Sequence, residues 1–197
     1  RAGPAALAQA RPLRGDLTDP RDWPRADLVT ASYALAEIAG GRLDAVVEAL
    51  WASCSGVLIL VEPGTPDGWS RILRARSLVL AQGGRALAPC PHDQPCPVQA
   101  PDWCHFSQRL PRSRDHRAAK GGSLAYEDEK FAWVALARAE VAAGERRARI
   151  LAPPHRSKPA ITLKLCTTEG ALESRTVPKR DKAPFAQARR LDWGDPV

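Results

Sequence analysis

Residues 56–62 read GVLILVE, a continuous apolar run closed by Pro63-Gly64. A run of this length without polar alternation predicts a central parallel strand covered on both faces. On its amino-terminal side, residues 42–55 (RLDAVVEALWASCS) carry Leu43, Val46, Val47, Leu50, Trp51 and Cys54 at the three-and-four spacing of one helical face. Cys54 is thereby explained as a small core residue. On the other side, Thr65-Pro66-Asp67 supplies a helix cap and a first-turn proline, and the helix runs to about Gln82 before Gly83-Gly84.

Two further strands flank this unit. Asp27 to Leu35 (DLVTASYAL) reads as a strand entering a turn, and Arg85 to Pro89 as a short strand after the second helix. Strand, helix, strand, helix, strand is the pattern of an open, mostly parallel α/β sheet, which binds ligands beyond the carboxyl ends of its strands. Phe131 to Arg138 (FAWVALAR) extends the same sheet after an insertion of about forty residues, longer than an ordinary connection. Ala160 to Cys166 (AITLKLC) alternates strictly. With the turn at residues 167–170 it predicts a β-hairpin, Cys166 at an exposed tip on the face opposite Ile161, Leu163 and Leu165.

The 197 residues, 44% hydrophobic, can bury a core without disulfides. No apolar run is long enough to cross a membrane and no secretory signal opens the chain, so it reads as a soluble monomer of a reducing compartment. It starts at Arg1 and contains no methionine, from which a missing upstream segment is expected. Net charge is uneven: residues 1–104 hold 10 Lys+Arg against 11 Asp+Glu, residues 105–197 hold 19 against 11. A net +8 on the later part fits either a polyanionic partner, nucleic acid above all, or a solvated basic surface.

The insertion opens with APCPHDQPCPVQAPDWCHFSQR, residues 88–109. Cys90, Cys96 and Cys104 are separated by five and seven intervening residues, neither zinc-ribbon nor ferredoxin spacing. With Cys166 they could complete a four-thiolate cage, and a polar, proline-rich loop offers no apolar core in which to hide thiols. His92 and His105 keep zinc open, as three cysteines and one histidine make a structural zinc site. Cysteine-only ligation points to an iron–sulfur cluster, for which we expect a low reduction potential and a structural role.

Further on, Arg109, Arg112, Arg114, Arg117 and Lys120 crowd twelve residues against one acid, Asp115. Forked guanidinium donors suit phosphate oxygens, which makes this the expected RNA-binding surface, with Lys179, Arg180 and Lys182 as an outlying extension. The acidic residues Glu127, Asp128 and Glu129 read as partners for neighbouring arginines rather than a metal site.

The segments CPHDQPC, PDWCHFSQR, SRDHRAAKGG and YEDEKFAWVALAR, together with DLVTASYALAEI, LVEPGTPDG and ARRLDWGD, closely resemble a methyltransferase-like family associated with the small ribosomal subunit, whose mitochondrial members are assembly factors. The resemblance implies a class I methyltransferase (Rossmann-like) fold with a 4Fe–4S cluster on Cys90, Cys96, Cys104 and Cys166, leaving Cys54 outside. It further implies small-subunit ribosomal RNA as partner. On this basis residues 1–150 form a methyltransferase-like α/β domain lacking its amino-terminal part, with a cysteine-rich insertion at 90–125, and residues 151–197 a β extension. No glycine-rich G-x-G-x-x-G turn follows a strand, so half of an S-adenosylmethionine pocket is absent. Asp16 is the one residue placed to approach that cofactor, and it reads more readily as an ordinary turn or capping aspartate. An active rRNA methyltransferase, complete only in a longer chain, is the rival reading, and a zinc-stabilised binding domain a third. The Ala/Arg/Pro-rich composition suggests the cytoplasm of a bacterium, with the mitochondrial matrix as the alternative.

Overall fold

The computed structural model describes residues 10–19, 23–39 and 41–197. The decisive run forms β2 (Cys54–Pro63), preceded by β1 (Ala26–Ser32), a short 3-10 turn at Leu35–Glu37 and helix α1 (Leu43–Ser53). Helix α2 (Pro66–Ala81) and β3 (Arg85–Ala88) follow. Thr65 caps α2, its hydroxyl accepting the Gly68 N–H at 3.1 Å. Gly68 is required there, since a Cβ would stand 2.0 Å from the Pro63 carbonyl oxygen. The helix expected to run to Ser55 ends at Ser53, so Cys54 is the first residue of β2; it is fully buried in the helix–sheet core all the same.

The insertion contributes β4 (Phe106–Pro111) and helix α3 (Arg114–Lys120), and the chain returns along β5 (Tyr126–Ala137). Strand order is β1-β2-β5-β3, with β4 pairing the first half of β5. The pairing corrects the expected mostly parallel sheet. Among the described residues only β1 and β2 pair in parallel, whereas β5 runs antiparallel to β2, β3 and β4. β1, β2 and β3 therefore share a direction, and β5 lies reversed between β2 and β3. Apolar periodicity carries no information on strand direction, and β5 is reversed because it re-enters as the return arm of the β4 hairpin.

A second correction concerns the faces of β2. Leu58, Leu60 and Glu62 are fully buried, whereas Val57, Ile59 and Val61 on the other face are only half-buried. Both helices pack on each other and on one face of the sheet. Two crossovers stepping the same way across a sheet, each right-handed, put their helices on the same side.

A second sheet forms from β6 (Arg149–Ile150), β7 (His155–Arg156), β8 (Ala160–Cys166) and β9 (Leu172–Pro178). β8 pairs β6, β7 and β9, all antiparallel, so the expected hairpin is present as β8–β9. Helix α4 (Lys182–Ala188) lays Phe185 and Ala188 onto Ile150, Ile161, Leu163 and Leu165 to make a separate small core. The two sheets are tied by side chains: Arg149 Nε donates to the Pro89 carbonyl at 3.1 Å, and Lys164 forms an ion pair with Asp102. Among the described residues no helix is long and apolar enough to cross a membrane.

Candidate metal centre and basic surface

The loop from Pro89 to His105 leaves β3 and folds back over α2. Several bonds hold it without regular structure. Asp93 accepts the Ala86 N–H at 2.8 Å, and Trp103 Nε1 donates to the Gly64 carbonyl at 3.0 Å. Arg76, on the buried stripe of α2 with Ile72 and Val79, donates to the carbonyls of His92 and Gln94 at 2.8 and 2.9 Å. The β8–β9 turn completes the enclosure. Gly170 has φ +82°, and its missing side chain lets the turn press on Gln94, whose Cβ would be 2.9 Å from a Cβ at that position.

This packing brings Cys90, Cys96, Cys104 and Cys166 to the wall of one cavity of about 40 Å³, bordered also by Arg76, His92 and Arg149. The predicted quartet is therefore gathered from two sheets. The expected exposed tip is corrected: Cys166 is 6% exposed, because the cysteine loop covers it. Cys54 lies elsewhere, in the main core. All five cysteines are free thiols.

Burial pushes the thiols of all four cavity cysteines up, and Cys166 reaches about 12. For Cys104 the neighbouring Cys90, Cys96 and Cys166 add to burial, because four thiolates in one small space repel. Arg76 works the other way on Cys90, Cys96 and Cys166. The wall also holds two buried polar atoms without a partner, Arg76 Nε and His92 Nδ1. Protein alone thus keeps these sulfurs protonated, while a cationic centre would convert them to ligands. Among the described residues, no three His, Cys, Asp or Glu side chains stand close enough together to hold one metal ion.

The two histidines separate. His92 is buried with Nε2 3.2 Å from Cys166 Sγ, and burial holds its imidazole below the usual range. His105 joins an aromatic cluster, stacked on Trp103 with ring centroids 5.0 Å apart and edge-on to Trp193 at 4.9 Å. Sequence reading missed Arg76 and Arg149. For Arg76 a signal was present: a charged residue on the apolar stripe of an amphipathic helix needs a buried partner.

The basic insertion is partly neutralised. Arg109 forks onto Asp128 at 2.7 and 2.9 Å with its guanidinium 4.1 Å over the Tyr126 ring, and Arg112 bonds Glu127 at 2.9 Å. The acidic run thus pairs with neighbouring arginines as read, Glu129 instead accepting the Tyr33 hydroxyl at 3.0 Å. Arg114 is exposed and Arg117 half-buried at α3, and the side chain of Lys120 lies outside the described residues. Asp16 takes the N–H and the hydroxyl of Thr18, each at 2.8 Å, and these two bonds hold its carboxyl below the ordinary range. It is a surface turn residue in this structure.

Comparison with known sequences adds the lineage. The family described as mitochondrial small ribosomal subunit Rsm22 matches residues 4–197. The human protein named "Ribosome assembly protein METTL17, mitochondrial" is 30% identical over 181 residues, covering 86% of this chain and 39% of its own length. Two fission-yeast (Schizosaccharomyces pombe) proteins, the mitochondrial Rsm22-cox11 tandem proteins 1 and 2, are each 28% identical over 217 residues, covering 85% of this chain and 28% of theirs. The chain therefore spans well under half of these relatives. With its match running almost end to end, this chain belongs to the mitochondrial small ribosomal subunit Rsm22 family.

Proposed function

We propose that this chain is an RNA-binding, ribosome-associated module acting in small-subunit assembly, with Cys90, Cys96, Cys104 and Cys166 holding a 4Fe–4S cluster as a structural staple. The observation that carries the metal part is the convergence of these four thiols, from a loop and a distant hairpin, on one cavity. What supports a cluster over zinc is the chemistry of the donor set, four cysteine thiols lining this cavity, since cysteine-only ligation is the usual coordination of an iron–sulfur core.

The cluster, when bound, supplies a covalent cross-link between the sheets and the capacity for one-electron chemistry. The chain's own residues prepare for its negative charge. Arg76 and Arg149 place guanidinium groups at the wall, and Arg76 is anchored by the carbonyls of the ligand loop itself. His92 borders Cys166 on the hairpin side.

The fold part of the reading is a partial class I methyltransferase sheet, β1 to β5, followed by a β extension that begins with β6 (Arg149–Ile150), just ahead of the expected boundary at 151. Two successive βαβ crossovers with helices on one face support it. Small-subunit assembly is supported by the names of the matched relatives, and RNA by the net +8 of residues 105–197. Of the two compartments considered, the relatives' names favour the mitochondrion.

The test is metal and acid-labile sulfide content, with a visible spectrum, on protein purified without oxygen. We expect about four irons per chain with matching sulfide. One zinc per chain and no colour overturns the cluster and leaves the RNA reading standing.

A further inference from the structure

The second sheet gathers cations from separate stretches of sequence. Arg156 closes β7, Lys158 sits in the turn into β8, Lys179 and Arg180 follow β9, and Lys182, Arg189 and Arg190 lie on or beside α4; all seven are exposed. Register brings them to one rim. Arg156 pairs with Ile161, which pairs on its other side with Val177. The Lys179 N–H donates to the Pro159 carbonyl at 2.7 Å, setting Lys179 beside the turn that carries Lys158. Arg156 donates to the Leu191 carbonyl at 2.7 Å, which draws in Arg190. Lys182 and Arg189, seven residues apart, fall on one side of α4, roughly 10 Å from each other.

Acids do not cancel this rim as they do the insertion. Asp181 approaches Arg180 at 3.9 Å, and Asp192 is turned onto the Trp193 N–H at 2.9 Å. In contrast, Arg109 and Arg112 each hold a carboxylate at ordinary hydrogen-bond distance. Phe185 packs inward against the small core, and the rim is built mainly of lysines and arginines. Such a surface grips phosphates first, because its lysines and forked guanidinium groups are donors matched to phosphate oxygens.

We propose that this rim, rather than the insertion alone, is the main docking surface for the phosphate backbone of folded RNA. It rests on the RNA reading above and names where that contact is made. Binding here is insensitive to base sequence and steeply dependent on salt.

The test compares wild type with the variant Lys158→Ala/Lys179→Ala/Arg180→Ala, whose fold is checked by circular dichroism. Affinity for a labelled mixed-sequence RNA duplex and for small-subunit ribosomal RNA is measured over a salt series. We expect the variant to lose at least tenfold in affinity for both RNAs, and the slope of log K against log salt to shrink by about 2 to 3, near 0.9 for each phosphate contact removed. An unchanged slope, with Arg114→Ala/Arg117→Ala flattening it instead, overturns the rim and leaves RNA binding intact. Wild-type protein that ignores both RNAs but binds vesicles containing anionic lipid overturns the RNA reading itself.

Discussion

His92 Nε2 lies 3.2 Å from Cys166 Sγ, joining a loop of the first sheet to the hairpin of the second across 74 positions of sequence. Both residues are buried, so the contact is an internal seam between the sheets. Replacing Cys166 by serine removes one thiol of four and opens that seam. The expected result is a chain with clearly reduced iron content and a Tm lower by roughly 5 °C or more. Full iron content together with an unshifted melting curve would place Cys166 outside the site.

Arg76 is only 3% exposed and serves two carbonyls of the ligand loop. Arg76→Met fits the helix stripe but leaves those carbonyls unpaired, which costs about 2–4 kcal/mol. Arg76→Lys keeps the charge without the fork and should fall between wild type and Met. Urea unfolding of the apo protein measures the loop-anchoring part, and anaerobic cluster reconstitution the part due to charge. Equal stability of all three would remove Arg76 from the anchoring role.

Glu62, fully buried at the end of β2, accepts the Leu35 N–H at 3.0 Å and Arg71 Nε at 2.8 Å. It fastens the turn after β1 to the neighbouring strand and to α2. Glu62→Gln keeps the shape but gives up the charge facing Arg71, for an expected loss of about 1–3 kcal/mol. Denaturant titration checks it, and Glu62→Leu should be worse because the Leu35 N–H then has no partner.

Tyr33 sits at the end of β1 with φ +55°, and burial together with the bond to Glu129 pushes its phenol up to about 12. The neutral phenol is thus favoured in the folded state. Above pH 10 the unfolded chain ionises first, so stability falls as pH rises from about 10 to 12, and the Tyr33 contribution is intact below that window. Ultraviolet titration of a Tyr126→Phe variant, which leaves one tyrosine, should show phenolate appearing only near the top of that range. Ionisation near pH 10 would mean that the Glu129 contact is not kept in solution.

Much of the local structure is legible in the sequence. The three-and-four spacing of Val46, Val47, Leu50 and Trp51 marked α1, Thr65-Pro66 marked the start of α2, and the alternation of Ile161, Leu163 and Leu165 marked β8. Cysteine identity in a polar loop marked Cys90, Cys96 and Cys104 as candidate ligands. These signals are short-range: periodicity, capping and propensity act within a few residues, so a single stretch of sequence contains them whole.

What only the tertiary structure decided involves pairs far apart in the chain. Whether β5 ran with or against β2 depended on the β4 hairpin that delivers it. Whether Arg109 and Arg112 stayed free for phosphate depended on the register that sets Arg109 opposite Asp128 and, just past the strand end, brings Arg112 to Glu127. The burial of Cys166, the anchoring role of Arg76 and the gathering of Arg156, Lys158 and Lys179 on one rim arose the same way. Composition and local pattern determined which elements and which chemical groups this protein has; register and packing between distant segments decided which of those groups meet, because contact energies are local in space and not in sequence.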